Sequence, residues 1–307
     1  MEGKEQFTKI IIDETLREMV SHGSEEYPFQ YYLEDIWLFD FHCIDWHWHS
    51  EVEFVFVKKG TAEVFVGSGR YILNAGMGIF INSQVIHRFE AKESTIIPNI
   101  VFSPLLLFYE GSLLYQKYIQ PILASCVDCL IFSSDIPWQN DILNTLLSIF
   151  SVQEKENGCE IKTAEHILKL WNILYDNMCL TENTVMPHTS AQTRSQLQIM
   201  MQYIHKNYFH HISLDDIAQT VSISKSSALN LFNKYLYTTP VNYLVNYRLK
   251  QAAKLLTTTE SSVYSIAQDT GFENVGYFCR KFKALFQLTP SEYRKASSTA
   301  ECNSSVL

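Results

Sequence analysis

No run of this 307-residue sequence is apolar for long enough to cross a bilayer. The most apolar stretch, residues 95–109, is broken by Pro98 and Pro104 and falls short of the roughly 20 residues a spanning helix needs. The first residues mix acids into the apolar ones, which is not the pattern of a secretory signal. A disulfide framework is also missing. The seven cysteines are odd in number and without repeating spacing, so they read as free thiols in a reducing compartment. Cys126 and Cys129 form a lone Cys-x-x-Cys that lacks the second pair a zinc site needs. The expectation is a cytoplasmic protein with no membrane partner.

What is present is a globular composition, 47% hydrophobic and 19% charged, with length enough for two domains. The net charge of −9 argues against a nucleic-acid binder until it is divided along the chain. Residues 191–295 hold 12 Lys and Arg against 6 Asp and Glu, a balance of +6, while residues 1–190 stand at −14. A basic module is joined to an acidic one, which confines polyanion binding to the C-terminal end.

Residues 36–102 read as β structure. Short runs rich in Val, Ile, Phe and Tyr cover 51–57, 62–66, 71–73, 78–81 and 95–102, and Gly, Asn and Ser punctuate them. After Pro121 the period becomes helical. Ile142, Leu143, Leu146, Leu147 and Phe150 form one stripe, and Ile161, Ala164, Leu168, Trp171, Tyr175 and Met178 a second, open to a role as core or as dimer seam. Residues 181–195 have the composition of a linker. Helices are then expected over 197–208, 214–220, 225–235, 241–256, 263–270 and 275–286, with a last turn over 290–294.

Two stretches of this region share one plan. Residues 213–244 and 262–294 each run Ile-Ala-Gln, a tight turn, a second helix ending in aromatic residues, then Thr-Pro and a Tyr. A short helix with a small buried residue, Ala218 or Ala267, lets the second helix cross closely, and the turn aims that helix outward as a groove reader. Ile266-Ala267, Gly271-Phe272, Tyr277-Phe278, Arg280, Phe282-Lys283, Thr289-Pro290 and Tyr293-Arg294 stand at spacings that resemble the AraC/XylS family of transcription regulators. Tyr243, Arg248, Ala252 and Leu255-Leu256 match the family's long helix between the units. Tyr237 and Gln287 depart from it, standing where the family usually ends its recognition helices in Gly.

The resemblance implies two helix-turn-helix units on promoter DNA. Ile217, Ala218, Leu231, Phe232, Ile266, Phe272, Phe278 and Phe282 are expected in the core. The DNA-contact candidates are Lys225, Ser226, Ser227, Leu229 and Asn230 on the first recognition helix. On the second they are Asn274, Val275, Gly276, Tyr277, Cys279, Arg280, Lys281 and Lys283. Arg280 suits a guanine edge or a phosphate, Asn230 an adenine, and Lys225, Lys281 and Lys283 the backbone. Val275, Gly276, Cys279 and Arg280 are placed opposite the core face. A bundle using these helices for packing alone is the alternative.

The second informative string is His47-x-His49, then Glu53 and Gly60, with Gly76, Gly78 and His87 downstream. These spacings resemble the two motifs of the cupin, the barrel that many regulators of this family carry as a sensor. Phe41, Asn82 and Gln84 depart from its Gly and Pro positions. If residues 47–53 form one strand, alternation puts His47, His49, Glu51 and Glu53 on one face. The resemblance implies that His47, His49, Glu53 and His87 line an effector site, with a sugar among the effector classes. The same four are the metal-ligand positions of metal-binding cupins, yet regulators of this family commonly work without a metal, and none is assigned as cofactor.

The fold class that follows is α+β and multidomain. A cupin-like effector-sensing domain spans 1–120, a helical dimerisation region 121–180, a linker 181–194, an all-α DNA-binding domain with two helix-turn-helix units 195–296, and a flexible tail 297–307. The function expected is a non-enzymatic, effector-controlled transcription regulator acting as a homodimer, with RNA polymerase a further partner if it activates. A metal-dependent cupin enzyme, an isomerase or dioxygenase with an appended DNA-binding domain, is the rival, and the duplicated helix-turn-helix weighs against it.

Overall fold

The computed structural model describes residues 10–13, 15–153, 159–178 and 191–296, with backbone only at Ala191 and Arg194. Residues 181–190 of the expected linker and the expected tail 297–307 lie outside the described residues. The chain divides into two compact units between Arg194 and Ser195.

The first unit opens with eight strands: β1 (Phe29–Asp35), β2 (Cys43–His47), β3 (Val52–Phe56), β4 (Thr61–Val66), β5 (Gly69–Asn74), β6 (Gly78–Ile81), β7 (His87–Ala91) and β8 (Ile96–Phe102). Helix α1 (Gln120–Leu123), strand β9 (Cys129–Phe132) and helices α2 (Pro137–Gln153) and α3 (Cys159–Asn177) follow. Two antiparallel sheets result, one of five strands in the order β1-β8-β3-β6-β9 and one of four in the order β2-β7-β4-β5. Because side chains alternate across a strand, β3 serves two cores at once. Val55 faces the interior with Val64, Leu73, Ile79 and Phe89. Val52, Phe54 and Phe56 face outward and pack beneath α2 and α3.

That packing corrects two expectations. Strand β9 pairs with β6, with Gly78 opposite Phe132, so the barrel runs past residue 120. The stripes of α2 and α3 are core: Ile142, Leu146, Ile149, Ile167, Leu170, Trp171 and Leu174 cover the outer face of the five-stranded sheet. On α3 the buried register is Thr163, Ile167, Leu170, Trp171 and Leu174, while Ile161 and Leu168 are 79% and 43% exposed. Helix α3 carries more apolar residues than one face can bury, and the sheet selects among them. Strands β1, β2, β7 and β9 fall outside the runs expected from composition. β2 carries Asp45 and His47, and β7 carries His87, Arg88 and Glu90, so both lack an unbroken apolar signature.

The second unit comprises α4 (Ala191–Asn207), α5 (Leu214–Gln219), α6 (Lys225–Leu236), α7 (Pro240–Thr258), α8 (Val263–Asp269) and α9 (Val275–Phe286), with residues 290–296 helical again. Helix α4 starts at Ala191 instead of residue 197, so the last four residues assigned to the linker are helical. Side-chain caps set the other starts. Ser213 and Asp216 form a reciprocal capping box on α5, and Ser224, Thr239, Ser262 and Asn274 each accept from a backbone N–H in the first turn of their helix. Helices α6 and α9 end in the left-handed region at Tyr237 (φ 52°) and Gln287 (φ 60°), the two positions where the family favours Gly.

Candidate effector pocket and DNA-reading helices

The structure brings His47, His49, Glu53 and His87 together, all buried at 1–6% exposure. His47 and His87 face each other across the β2–β7 pair, ring centroids 4.1 Å apart, and Glu53 reaches them from β3 in the opposite sheet. The arrangement does not come from one strand. β2 ends at His47 and β3 begins at Val52, so His49 sits on the connection. Glu51 is accordingly drawn out of the expected face, and its carbonyl accepts from His49 Nδ1 at 3.2 Å.

All three rings are held the same way. Nδ1 of His47, His49 and His87 lies 2.8, 3.2 and 2.8 Å from the carbonyls of Asp45, Glu51 and Val85. A carbonyl can only accept, so Nδ1 carries the proton and Nε2 faces the interior, as a lone pair in the neutral ring and as a donor in the charged one. Glu53 Oε2 stands 3.1 Å from His87 Nε2 and 3.5 Å from His49 Nε2. One ring nitrogen from each of His47, His49 and His87 also lies within 4.8 Å of the other two. Carbonyl-anchored imidazoles converging on a buried carboxylate fit a divalent cation as ligands, and a bound ion would there polarise oxygen ligands as a Lewis acid.

Burial, reinforced by the neighbouring His87, lowers His47 to about 3, so this ring stays neutral at ordinary pH. Burial alone would raise Glu53, but the imidazoles of His49 and His87 outweigh it and hold the carboxyl below its usual range.

Further groups of the pocket were not foreseen: Glu18, His22, Tyr32, Glu34 and Asn99 line it with Ile10, Val20, Phe39, Ile44, Phe89 and Val101. Tyr32 and Asn99 are direct partners in the β1–β8 register. Burial raises Glu34 to about 8 against the pull of its bond from Asn99 Nδ2, 2.8 Å long, and the charges of Glu53 and Glu18 add to the rise. The same burial, with Glu18 and Glu34 nearby, pushes Tyr32 well above its ordinary value. Among the described residues no Lys or Arg lines the pocket. Inside, the centres of water-sized molecules have about 40 Å³ available, room for about three waters.

In the second unit the turns aim α6 and α9 outward as the shared plan requires. Gly271 adopts φ +83°, and a Cβ there would meet Tyr208 O at 2.5 Å, so the second turn admits glycine alone. Ser222 takes the equivalent left-handed place in the first turn at φ 54°. Arg248 of α7 donates from Nε to Tyr208 O at 2.6 Å and from Nη2 to His210 O at 2.7 Å. Arg294 does the same to Leu256 O and Ser261 O. These two family-matching arginines fix the loops that lead into α5 and α8.

On α9, Gly276, Tyr277, Arg280, Lys281 and Lys283 are exposed, and Asn274 caps the helix through Tyr277 N at 2.8 Å. Val275 and Cys279 are half-buried on the flank, closer to Phe278 and Phe282 than the expected outward face. On α6, Lys225, Ser226, Ser227 and Asn230 are exposed while Leu229 is half-buried. Lys225 pairs with Asp215 at 3.4 Å, and Leu231, expected in the core, is half-buried. Asn233 completes the outward row with Ser226 and Asn230 and was missed. Shifting Lys283 back by the 50-residue repeat would have found it.

Comparisons with known proteins agree with this geometry. A family model described as "Helix-turn-helix domain" matches residues 217–296, and one described as "Cupin domain" matches residues 43–97. The chain is 29% identical over 290 residues to an uncharacterized HTH-type transcriptional regulator, YdeC, of Bacillus subtilis, covering 94% of this chain and 99% of that one. It is 22% identical over 256 residues to the melibiose operon regulatory protein of Escherichia coli, covering 82% of this chain and 83% of that one. Over 98 residues it is 33% identical to the lactose operon transcription activator of Staphylococcus xylosus, which is 32% of this chain and 35% of the relative. The outward-aimed, capped helix pairs and the barrel with its His-x-His connection thus carry one conclusion: the chain is a DNA-binding transcription regulator that joins a cupin domain to an AraC-type helix-turn-helix domain.

Proposed function

We propose that the barrel is a sensor whose ligand enters the His/Glu pocket and controls how the second unit acts at a promoter. The observation that carries this reading is a pocket lined by three imidazoles, three carboxyls, Tyr32 and Asn99, with His87 packed behind them and no Lys or Arg among the described lining residues, in one chain with a DNA-reading domain. Such a lining disfavours anionic effectors such as carboxylates and phosphates. It suits a polyol, an amine or a metal ion. The relatives named for lactose and melibiose operons make sugars the first class to try. At its present size the pocket does not hold a disaccharide, so sugar binding requires the lining segment at Ile10, Glu18, Val20 and His22 to move aside.

In this reading the chain is a cytoplasmic homodimer that touches RNA polymerase if it activates, and the exposed Leu147, Ile161 and Leu168 of α2 and α3 are the seam to test by sedimentation. Among the described residues no helix is long and apolar enough to cross a membrane. His47, His49, Glu53 and His87 favour one second reading, a metal-dependent cupin enzyme that also binds DNA. Footprinting on DNA flanking the gene, repeated with a panel of sugars and metal ions, tests the sensor reading. We expect a His49→Ala, His87→Ala variant to keep its DNA affinity and lose the effector response. A variant that responds as the parent does places the sensor elsewhere, and turnover of a substrate by the metal-loaded protein supports the second reading.

A further inference from the structure

The two helix-turn-helix units can be laid over one another cap to cap, because Ser224 opens α6 as Asn274 opens α9, 50 positions on. At matching places α9 carries Arg280 and Lys283 where α6 carries Asn230 and Asn233, and all four are exposed. Lys225 is the one cation among residues 225–233, and it stands where α9 has Val275. Over those turns the hold of α6 on a phosphate backbone depends on this side chain.

That side chain is already engaged. Lys225 Nζ lies 3.4 Å from Asp215 Oδ2, with about half of each side chain in solvent. Asp215 belongs to the first turn of α5, whose start is locked by the box between Ser213 and Asp216. Asp216 Oδ2 accepts from Ser213 N and Ser213 Oγ, both at 2.8 Å. These bonds, and in smaller measure the charges of His211 and Lys225, hold the Asp216 carboxyl below its usual value. Two carboxylates thus stand by one ammonium. The second unit differs here too, since α8, matched to α5 through the caps Ser213 and Ser262, has Tyr264 and Ser265 at the two places.

An exposed ion pair of this kind adds little to folding, so its consequence falls on the approach of DNA. A helix N-terminus attracts phosphate through its free N–H groups and its dipole, and Lys225 occupies the first position of α6. A carboxylate beside it cancels that attraction. We propose that Asp215 neutralises Lys225 toward phosphate, leaving the first unit to read bases through Ser226, Asn230 and Asn233 while the second supplies the electrostatic grip. Hydroxyls and amides bond base edges and give little hold on a mismatched sequence. A unit built this way adds affinity where the bases fit and almost none elsewhere. The inference rests on α6 lying in a groove and is independent of the sensor reading of the barrel.

The test uses the full-length chain, a duplex recovered by binding-site selection with the parent, and a shuffled duplex of the same length. Affinity is followed against salt by fluorescence anisotropy. One phosphate contact changes the slope of log affinity against log salt by about 0.9, which is about 8-fold in affinity between 1 M and 0.1 M salt. We expect Asp215→Asn to steepen the slope by about one on both duplexes and to tighten binding about 5- to 10-fold at 0.1 M salt. Lys225→Gln added to Asp215→Asn should return the slope to that of the parent. Asp269→Asn removes an equal, exposed charge from the end of α8 and should leave the slope as it is. Asn230→Ala should weaken the selected duplex alone, at an unchanged slope. An unchanged slope in Asp215→Asn overturns the proposal, as does a steeper slope that survives the loss of Lys225. An equal change in Asp269→Asn overturns it by tracing the effect to net charge, and equal losses on both duplexes in Asn230→Ala remove the reading role. Asp215 also suits the N-terminus of its own short helix, a structural role that would not move the salt slope. Thermal melts accompany each variant, and Asp215→Ser takes the place of Asp215→Asn if that variant loses stability.

Discussion

The side chains that give the first unit its chemistry are enclosed, with His47, His49, Glu53 and His87 at 6% exposure or less. Those of the second stand in solvent, where Arg280, Lys281 and Lys283 project from α9 above a core of Phe278 and Phe282. The difference sets what each region can do. A buried site obtains its protonation states from its surroundings, as His47 and Glu53 show, and selects a ligand by refusing those that leave a group unpaired. An exposed basic face acts at a distance and falls off with salt. The largest effect expected follows directly. Residues 191–296 alone should bind duplex DNA, with affinity falling by orders of magnitude between low and physiological salt, and residues 10–178 should not bind. Comparable retention of DNA by both fragments in a salt titration breaks the contrast.

Substitutions sharpen it at the level of single residues. Glu53→Ala leaves His49 and His87 facing an emptied buried position, so the first unit should lose on the order of 3–5 kcal/mol in chemical denaturation. Arg280→Ala removes an exposed side chain and should change stability by less than about 0.5 kcal/mol. Its cost should appear instead in DNA binding, roughly 1–3 kcal/mol, with relaxed preference at one or two base pairs in a binding-site selection. Lys283→Ala should weaken all sequences alike. A uniform loss in Arg280→Ala would make this arginine a phosphate clamp.

The contrast also explains what could be read in advance. The helix-turn-helix units were legible because their signals are local: caps at Ser213, Ser224, Ser262 and Asn274, glycine at the second turn, and aromatic residues three and four apart. The pocket was legible only where its residues are close in sequence or carry a known spacing, as in His47, His49, Glu53 and His87. Tyr32 and Asn99 meet through the β1–β8 register, 67 positions apart, and Glu18 arrives by pairing with Trp48. No periodicity in the chain encodes those meetings. The register of α3 was misjudged for a related reason, since Ile161 and Leu168 look like core until the sheet beneath the helix decides which face is buried.

The acid–base response should separate the units as well. Glu34 has its carboxyl head enclosed although the residue as a whole is half-buried, and its value of about 8 lies above the 4.5 expected when unfolded. An acid raised by folding contributes stability below pH 4.5, and that contribution is lost as pH rises toward 8. Glu34→Gln should therefore flatten the decline of the first unit between pH 4.5 and 8, by on the order of 1 kcal/mol once solvent screening is allowed for. The second unit, melted as its own fragment, serves as the control. An unchanged slope in Glu34→Gln would show that Glu34 is ionised in the folded state.

The smallest effect concerns strain, which the second unit carries in the open. Tyr237 and Gln287 end α6 and α9 at φ 52° and 60°, and both are exposed. A left-handed backbone costs a non-glycine residue about 1–2 kcal/mol, because its Cβ crowds the following carbonyl. Each still closes its helix, donating its N–H to Phe232 O or Lys283 O, so glycine could take over without losing that bond. Glycine brings an entropic cost in the unfolded chain, and the net gain for Tyr237→Gly or Gln287→Gly should be roughly 0.5–1 kcal/mol. Gln287 also donates from Nε2 to Ala284 O at 3.1 Å, which offsets part of its strain and makes its gain the smaller of the two. Thermal melts of residues 191–296 with each change, and with both, measure this directly. The two sites end different helices 50 positions apart, so their effects should add. A loss of stability in Tyr237→Gly would mean that the ring's remaining contacts outweigh the strain of its backbone.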